Sequence, residues 1–215
     1  MSEKDRNSAE YYDEQAEANG WRGPEVIFGL MYRYVDAGES VLDVGVGTGL
    51  GSELFHRAGL AVSGMDSSPE MLEGTRAKGI ATELRRHDMT LLPYPYESAS
   101  FDHVICIGVL QFFEHVEPVL GEMSRLLRAG GWCGLTVVDA VKGEPTSVAF
   151  GREHTGTDRG VTMYRHRPED VRATLAACGF EDADELVFVA FMDAERTKTL
   201  PIRAYVARRR GGERC

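Results

Sequence analysis

The chain is poor in cysteine, in basic charge and in long apolar runs, and each shortage narrows what it does. Four cysteines stand among 215 residues, at 106, 133, 178 and 215, and none forms a C-x-x-C pair. That argues against a zinc site or a disulfide framework and fits a reducing, cytoplasmic compartment. Lys and Arg total 24 against 34 Asp and Glu, a net charge of -10. A surface of that sign is not suited to broad contact with nucleic acid or an anionic membrane. The local basic run Arg208-Arg209-Arg210 reads as a solvated tail. The longest apolar stretch, Val104 to Phe113, is too short to span a bilayer, and the opening MSEKDRNSAEYYDEQ has no apolar centre of a signal peptide. At 43% hydrophobic residues, the chain is expected to form a single globular domain.

The most informative stretch is VLDVGVGTGLGS, residues 41–52. Val41 to Val44 reads as a short strand, and Gly45, Gly47, Gly49 and Gly51 alternate in the turn after it. A helix is expected next, with Leu50, Leu54, Phe55 and Ala58 on one face and Gly59 as its stop. Such a turn lets backbone approach a ligand closely, and a helix N-terminus adds unpaired N–H groups. A nucleotide-like ligand with an anionic group is therefore expected. The dinucleotide fingerprint G-x-G-x-x-G or G-x-G-x-x-A fails in every register, because its last position falls on Leu50, Ser52 or Leu54.

The rest of the chain alternates strands and helices. A second strand, Ala61 to Met65, ends at Asp66, where a carboxylate accepts ribose hydroxyls. Ser67 and Glu70 form a capping-box pair ahead of a helix that Gly79 closes. A third strand, around Ile80 to His87, ends at Asp88-Met89, and a fourth, Phe101 to Ile107, reads as central and buried. Gly108, Phe112 and Phe113 follow at its carboxyl end, where open α/β sheets hold ligands. A helix with Val119, Leu120, Met123, Leu126 and Leu127 on its buried face stops at Gly130-Gly131, and a fifth strand, Trp132 to Val138, ends at Asp139. Residues 140–166 lose periodicity and read as an insertion. Pro168 then opens a helix bearing Val171, Leu175 and Cys178, before strands at Leu186 to Phe191 and Ile202 to Ala207. Strand and helix alternation predicts an α/β, doubly wound sheet.

Several stretches carry a family resemblance. Asp43-x-Gly45-x-Gly47-Thr48-Gly49 resembles motif I of the class I S-adenosylmethionine-dependent methyltransferases. Tyr11-Tyr12-Asp13 with Ala16, Asp66-x-Ser68-x-x-Met71-Leu72, Phe101-Asp102-x-Val104 and Glu114-His115-Val116 resemble further elements of the small-molecule type, in the same order. The chain is similar to ubiquinone/menaquinone-biosynthesis-type and Williams–Beuren-region 27-like methyltransferases. The resemblance implies a Rossmann-like sheet of seven strands with the last antiparallel, S-adenosylmethionine as cofactor and S-adenosylhomocysteine as product. Residues 1–39 become a helical lead-in and lid, and 40–215 the cofactor-binding core with its insert at about 140–166. By the same resemblance Asp43, Gly45, Val46, Gly47 and Gly49 hold the cofactor, with Asp66 and Ser67 at the ribose. Met71, Asp88 and Met89 lie at the adenosine, Ile107 and Gly108 at the methionine part, and Tyr12, Trp21 and Arg22 cover the pocket. Phe112 joins the same pocket, with Phe113 toward the substrate.

These residues point to methyl transfer to a small molecule by in-line displacement, in which alignment supplies much of the rate. Asp139, His154 and His166 are candidate general bases, while His115 reads more simply as a helix-start residue. The cationic excess of Arg152, His154, Arg159, Arg165 and His166 in the insert suggests an acceptor with a carboxylate or phosphate. No nucleic acid, membrane or metal is expected, and the protein is expected as monomer or homodimer. Two alternatives stand: a cofactor-binding regulatory or partner protein without transferase activity, and an NAD(P)-dependent oxidoreductase.

Overall fold

The structure is a computed structural model that describes residues 9–150, 161–191 and 195–211. Two helices lead in, α1 (Ala9–Ala18) and α2 (Gly23–Met31). The core follows as β1 (Ser40–Val44), α3 (Glu53–Arg57), β2 (Ala61–Asp66), α4 (Pro69–Lys78), β3 (Glu83–Arg86), β4 (Phe101–Cys106), α5 (Glu117–Leu126) and β5 (Leu127–Val138). A two-stranded hairpin, β6 (Ser147–Phe150) and β7 (Val161–Tyr164), precedes α6 (Pro168–Ala177), β8 (Phe180–Phe191) and β9 (Thr199–Arg209). The seven-stranded sheet runs β3-β2-β1-β4-β5-β9-β8. The first five strands are parallel; β9 enters antiparallel between β5 and β8. This is the expected doubly wound sheet with its antiparallel close.

Alternation along the central strands divides the core between the two faces. Val41, Val62, Ile105, Ala204 and Val206 meet Ile27 and Met31 of α2 and Phe55 of α3. Leu42, Val44, Val104, Cys106, Leu135 and Val137 meet Val119, Leu120 and Met123 of α5 and Val171 and Leu175 of α6. Parallel strands need cover on both faces, and this sandwich supplies it. No helix among the described residues is long and apolar enough to cross a membrane. Cys106 and Cys133 are buried free thiols, and Cys178 is half-buried.

Several expectations are corrected. The helix after the glycine turn is only Glu53–Arg57, and Leu50 lies in the turn instead of on a helix face. The cap of α4 is Ser68, whose hydroxyl accepts from the Met71 N–H at 3.3 Å; Ser67 does not cap. Helix α5 ends at Leu126, four residues before the glycine pair, and Leu127 already belongs to β5. Its carbonyl accepts from Arg209, which therefore lies in a strand and not in a tail. The insert is not structureless: β6 pairs with β7, and Asp139 bridges to His166.

Candidate functional site

All the chemistry-bearing loops of the parallel strands leave from one edge of the sheet. At that edge lies a cavity of about 350 Å³. Its floor is the glycine turn: Gly45, Val46, Gly47 and Gly51 line it. Gly47 has φ +54 with open space where a Cβ would project, so backbone faces the cavity with nothing in front of it.

Three carboxylates surround this floor. Asp66, at the end of β2, accepts the Gly47 N–H on Oδ2 and the Ser68 N–H on Oδ1, both at 2.9 Å. It thus ties the glycine turn to the start of α4. Asp88 accepts the Thr90 N–H and hydroxyl on Oδ1, at 2.9 and 2.8 Å, and these bonds hold its carboxyl below the usual range. Asp43 is different. It is 2% exposed and accepts the Ser52 hydroxyl at 2.6 Å. Burial pushes its carboxyl up to about 7, with the nearby Asp66 charge adding to the rise and the Ser52 bond opposing it.

Apolar and aromatic groups complete the walls. Met71, Met89, Ile107, Val109, Phe112 and Phe113 come from the core, and Tyr12, Trp21 and Pro24 from the lead-in. Tyr12 is half-exposed, and its phenol is pushed up by burial and by Asp13, Asp66 and Asp43. Trp21 packs 5.9 Å from Phe188 and lies over Gly108. Helix α1 is pinned to the core through Asp13, which accepts from the Thr48 hydroxyl of the glycine turn and pairs with Lys78 of α4 at 2.6 Å. Gly74 permits this docking, because a Cβ there would lie 2.5 Å from the Ala9 Cβ.

Thirteen of the fifteen residues expected around the cofactor therefore line one cavity: Tyr12, Asp43, Gly45, Val46, Gly47, Asp66, Ser67, Met71, Asp88, Met89, Ile107, Gly108 and Phe112. Two do not. Gly49 faces Ile80 and Thr75 on the back of the turn, where a Cβ would be 2.6 Å from Ile80 Cδ1. Arg22 is turned to Glu25 at 3.0 Å and lines a neighbouring groove under α1. Sequence reasoning did not single out Pro24 or Val109 for the cavity, nor Asp13 and Lys78 as its braces.

Two of the three candidate bases lie elsewhere. Asp139 is held by Arg203 through Nε at 2.9 Å and Nη2 at 2.7 Å. His166 is buried with Nε2 3.3 Å from the Leu110 carbonyl, and burial lowers its pKa. Neither lines the cavity. Arg165 pairs with Glu144 and donates to the Pro145 carbonyl. Arg152, His154 and Arg159 lie outside the described residues.

The charge of the site narrows the expectation from the glycine turn. Its helix is five residues long and opens on Glu53, and the described lining holds three carboxylates and no Lys, Arg or His. Such a site repels a pyrophosphate and suits a nucleoside with a cationic centre. Among the described residues no cluster of His, Cys, Asp and Glu is able to hold a metal.

Comparison with known proteins agrees with this geometry. Residues 42–135 match a family described as a methyltransferase domain. A demethylmenaquinone methyltransferase of Tropheryma whipplei is 35% identical over 97 residues, 45% of this chain and 41% of that protein. A phosphatidylethanolamine N-methyltransferase of Cereibacter sphaeroides is 42% identical over 101 residues, 44% and 48% of the two chains. The chain thus spans about half the length of the curated relatives it matches. A Haemonchus contortus phosphoethanolamine N-methyltransferase solved with S-adenosyl-L-methionine shares the fold, with a TM-score of 0.70 at 17% identity over 98% of this chain and 60% of that one. Residues 42–135 thus resemble a methyltransferase domain in sequence, and the chain shares its fold with a solved methyltransferase.

Proposed function

We propose that the protein binds S-adenosylmethionine in this cavity and transfers its methyl group to a small molecule. The observation that carries the proposal is the charge of the cavity: three carboxylates around an open glycine floor, with no cationic side chain in the described lining. Bound S-adenosylmethionine supplies a methyl group already activated by its sulfonium, and displacement leaves S-adenosylhomocysteine.

The residues present fit that group. Asp66 retains acceptor capacity beyond its two backbone bonds and takes the ribose hydroxyls. Asp88 accepts from the adenine amino group while buried Met89 packs on the ring. Asp43, buried and lacking a cationic partner, receives the ammonium. Tyr12 and Trp21 close over the opening and exclude water. The chain's contribution is alignment, which needs no covalent participation from the protein.

The acceptor is a small molecule, taken up by a monomer or homodimer in the cytoplasm. The two curated relatives are named for demethylmenaquinone and phosphatidylethanolamine, so the core they share with this chain supports the cofactor more than any acceptor. Arg165, one of the cationic residues expected to meet an acceptor carboxylate or phosphate, is engaged by Glu144.

Calorimetric titration with S-adenosylmethionine, S-adenosylhomocysteine and NAD tests the cofactor. Binding of the first two without NAD is expected; binding of NAD alone would overturn the proposal.

A further inference from the structure

We propose that Thr136 is a positioning residue for the ammonium end of the cofactor, acting through the peptide between Ile107 and Gly108. This rests on the cofactor proposed above. Gly108 stands just beyond β4 with φ +74. Its N–H donates to the Thr136 hydroxyl at 2.8 Å, and its carbonyl accepts from Gln111 Nε2 at 2.6 Å. Thr136 is 1% exposed near the carboxyl end of β5, one step past Leu135, which sits opposite Cys106.

The Ile107–Gly108 peptide is not among the cis bonds of the described residues. In a trans peptide the carbonyl points opposite to the N–H. With the N–H turned to β5, the Ile107 carbonyl is turned toward β1, the other neighbour of β4. Asp43 stands there, in register with Ile105. Gly51 lies between Asp43 and the Ile107 side chain: a Cβ on it would be 3.0 Å from Asp43 Oδ2 and 3.3 Å from Ile107 Cδ1. In this scheme the Ile107 carbonyl and the buried Asp43 carboxylate serve one place at the cavity wall. Two acceptors with one charge suit an alkylammonium, which carries three donors. Thr136 touches no ligand in this scheme. It holds the carbonyl in place by occupying the N–H on the opposite side of the same peptide.

The test compares S-adenosylhomocysteine with 5′-methylthioadenosine, which keeps the nucleoside and sulfur but lacks the amino acid. Wild type and Thr136→Val are titrated with both. The expected result is about a tenfold loss for S-adenosylhomocysteine, about 1.4 kcal/mol, with methylthioadenosine changed by less than about twofold. Thr136→Ser restores the wild-type ratio. Equal losses for both ligands, or no loss for either, would overturn the proposal. Should Thr136→Val fail to fold, Thr136→Ala removes the same hydroxyl without adding a methyl and must give the same split. A wild type that binds neither ligand overturns the proposed cofactor, an outcome distinct from failure of the Thr136 role.

Discussion

Replacing Asp43 by Asn should flatten the dependence of stability on pH. The Asp43 carboxyl rises from 3.8 to about 7 on folding, chiefly through burial. Between those values the unfolded chain has lost the proton and the folded chain has kept it, so stability falls as pH rises. At 1.36 kcal/mol per unit the full cost is about 4 kcal/mol, reached near pH 7 and constant above it. Between pH 5 and 7.5 the wild type should lose about 2.5 kcal/mol through this group alone. The other shifted groups do not mimic it. Asp88, Asp102, Glu122 and Glu185 have lowered values, so their stabilisation is lost only as pH falls through the acid range. His166, lowered by burial, gains stability as pH rises to its unfolded value and works against Asp43. Subtracting the Asp43→Asn curve from the wild-type curve removes all of these. Asn keeps an oxygen for the Ser52 hydroxyl, so the fold is retained. Urea unfolding at half-unit steps from pH 4.5 to 8 is the assay. A difference between the proteins that stays constant within about 0.5 kcal/mol across that range would refute a raised Asp43. The same proton links stability to ligand: at pH 6, binding of S-adenosylhomocysteine should release about one proton in wild type and none in Asp43→Asn, read by calorimetry in buffers of different ionisation enthalpy.

Asp66→Ala should weaken S-adenosylhomocysteine binding by about 100-fold, since it removes a charged acceptor and the brace on the Gly47 N–H; retained micromolar binding would mean that the ribose lies elsewhere. Asp13→Ala should release α1 from Thr48 and Lys78 at a cost of about 1 kcal/mol, a modest figure because both charged side chains are about a quarter exposed. Hydrogen exchange over residues 9–18 should rise in that variant, and Gly74→Val should do the same by driving Ala9 off α4; unchanged exchange in both would refute the pinning. Arg203→Met should destabilise the fold by about 3 kcal/mol by stranding the largely buried Asp139, while leaving S-adenosylhomocysteine affinity unchanged. Lost affinity without lost stability would return Asp139 to the site.

What was legible before the structure shares one property: it is encoded within a few residues. Gly45 to Gly51 announce their turn, Asp66 stands at the end of an apolar run and Asp88 just past the third strand, so position along the strand foretells position at the cavity. Pro69 and Gly79 bracket α4 for equally local reasons. Errors of one step arose where two local signals competed. Ser67 and Ser68 both precede Pro69, and only backbone geometry chooses the second as the cap. The Gly130-Gly131 pair looks like a helix stop, yet Leu127 is drawn into β5 beside Phe101, so sheet pairing wins over the helical face it would otherwise complete.

The parts that were not legible are those whose partners lie far along the chain, and they decide how the site works. Asp139 looks like a base because it ends a strand, exactly as Asp66 does in sequence terms. The difference is Arg203, 64 residues away, which the antiparallel entry of β9 delivers beside it. Asp13 finds Thr48 across 35 residues, and Thr136 finds Gly108 across 28. None of these pairs leaves a spacing signal, because strand order, not sequence distance, sets who meets whom. A carboxylate at a strand end is therefore a ligand-binding candidate only until the neighbouring strands are known. In this fold the β1, β2 and β3 ends have no cation set against their carboxylates in the cavity lining, whereas the β5 end has one. That asymmetry is the ground on which we propose Asp43, Asp66 and Asp88 for the ligand and Asp139 for the scaffold.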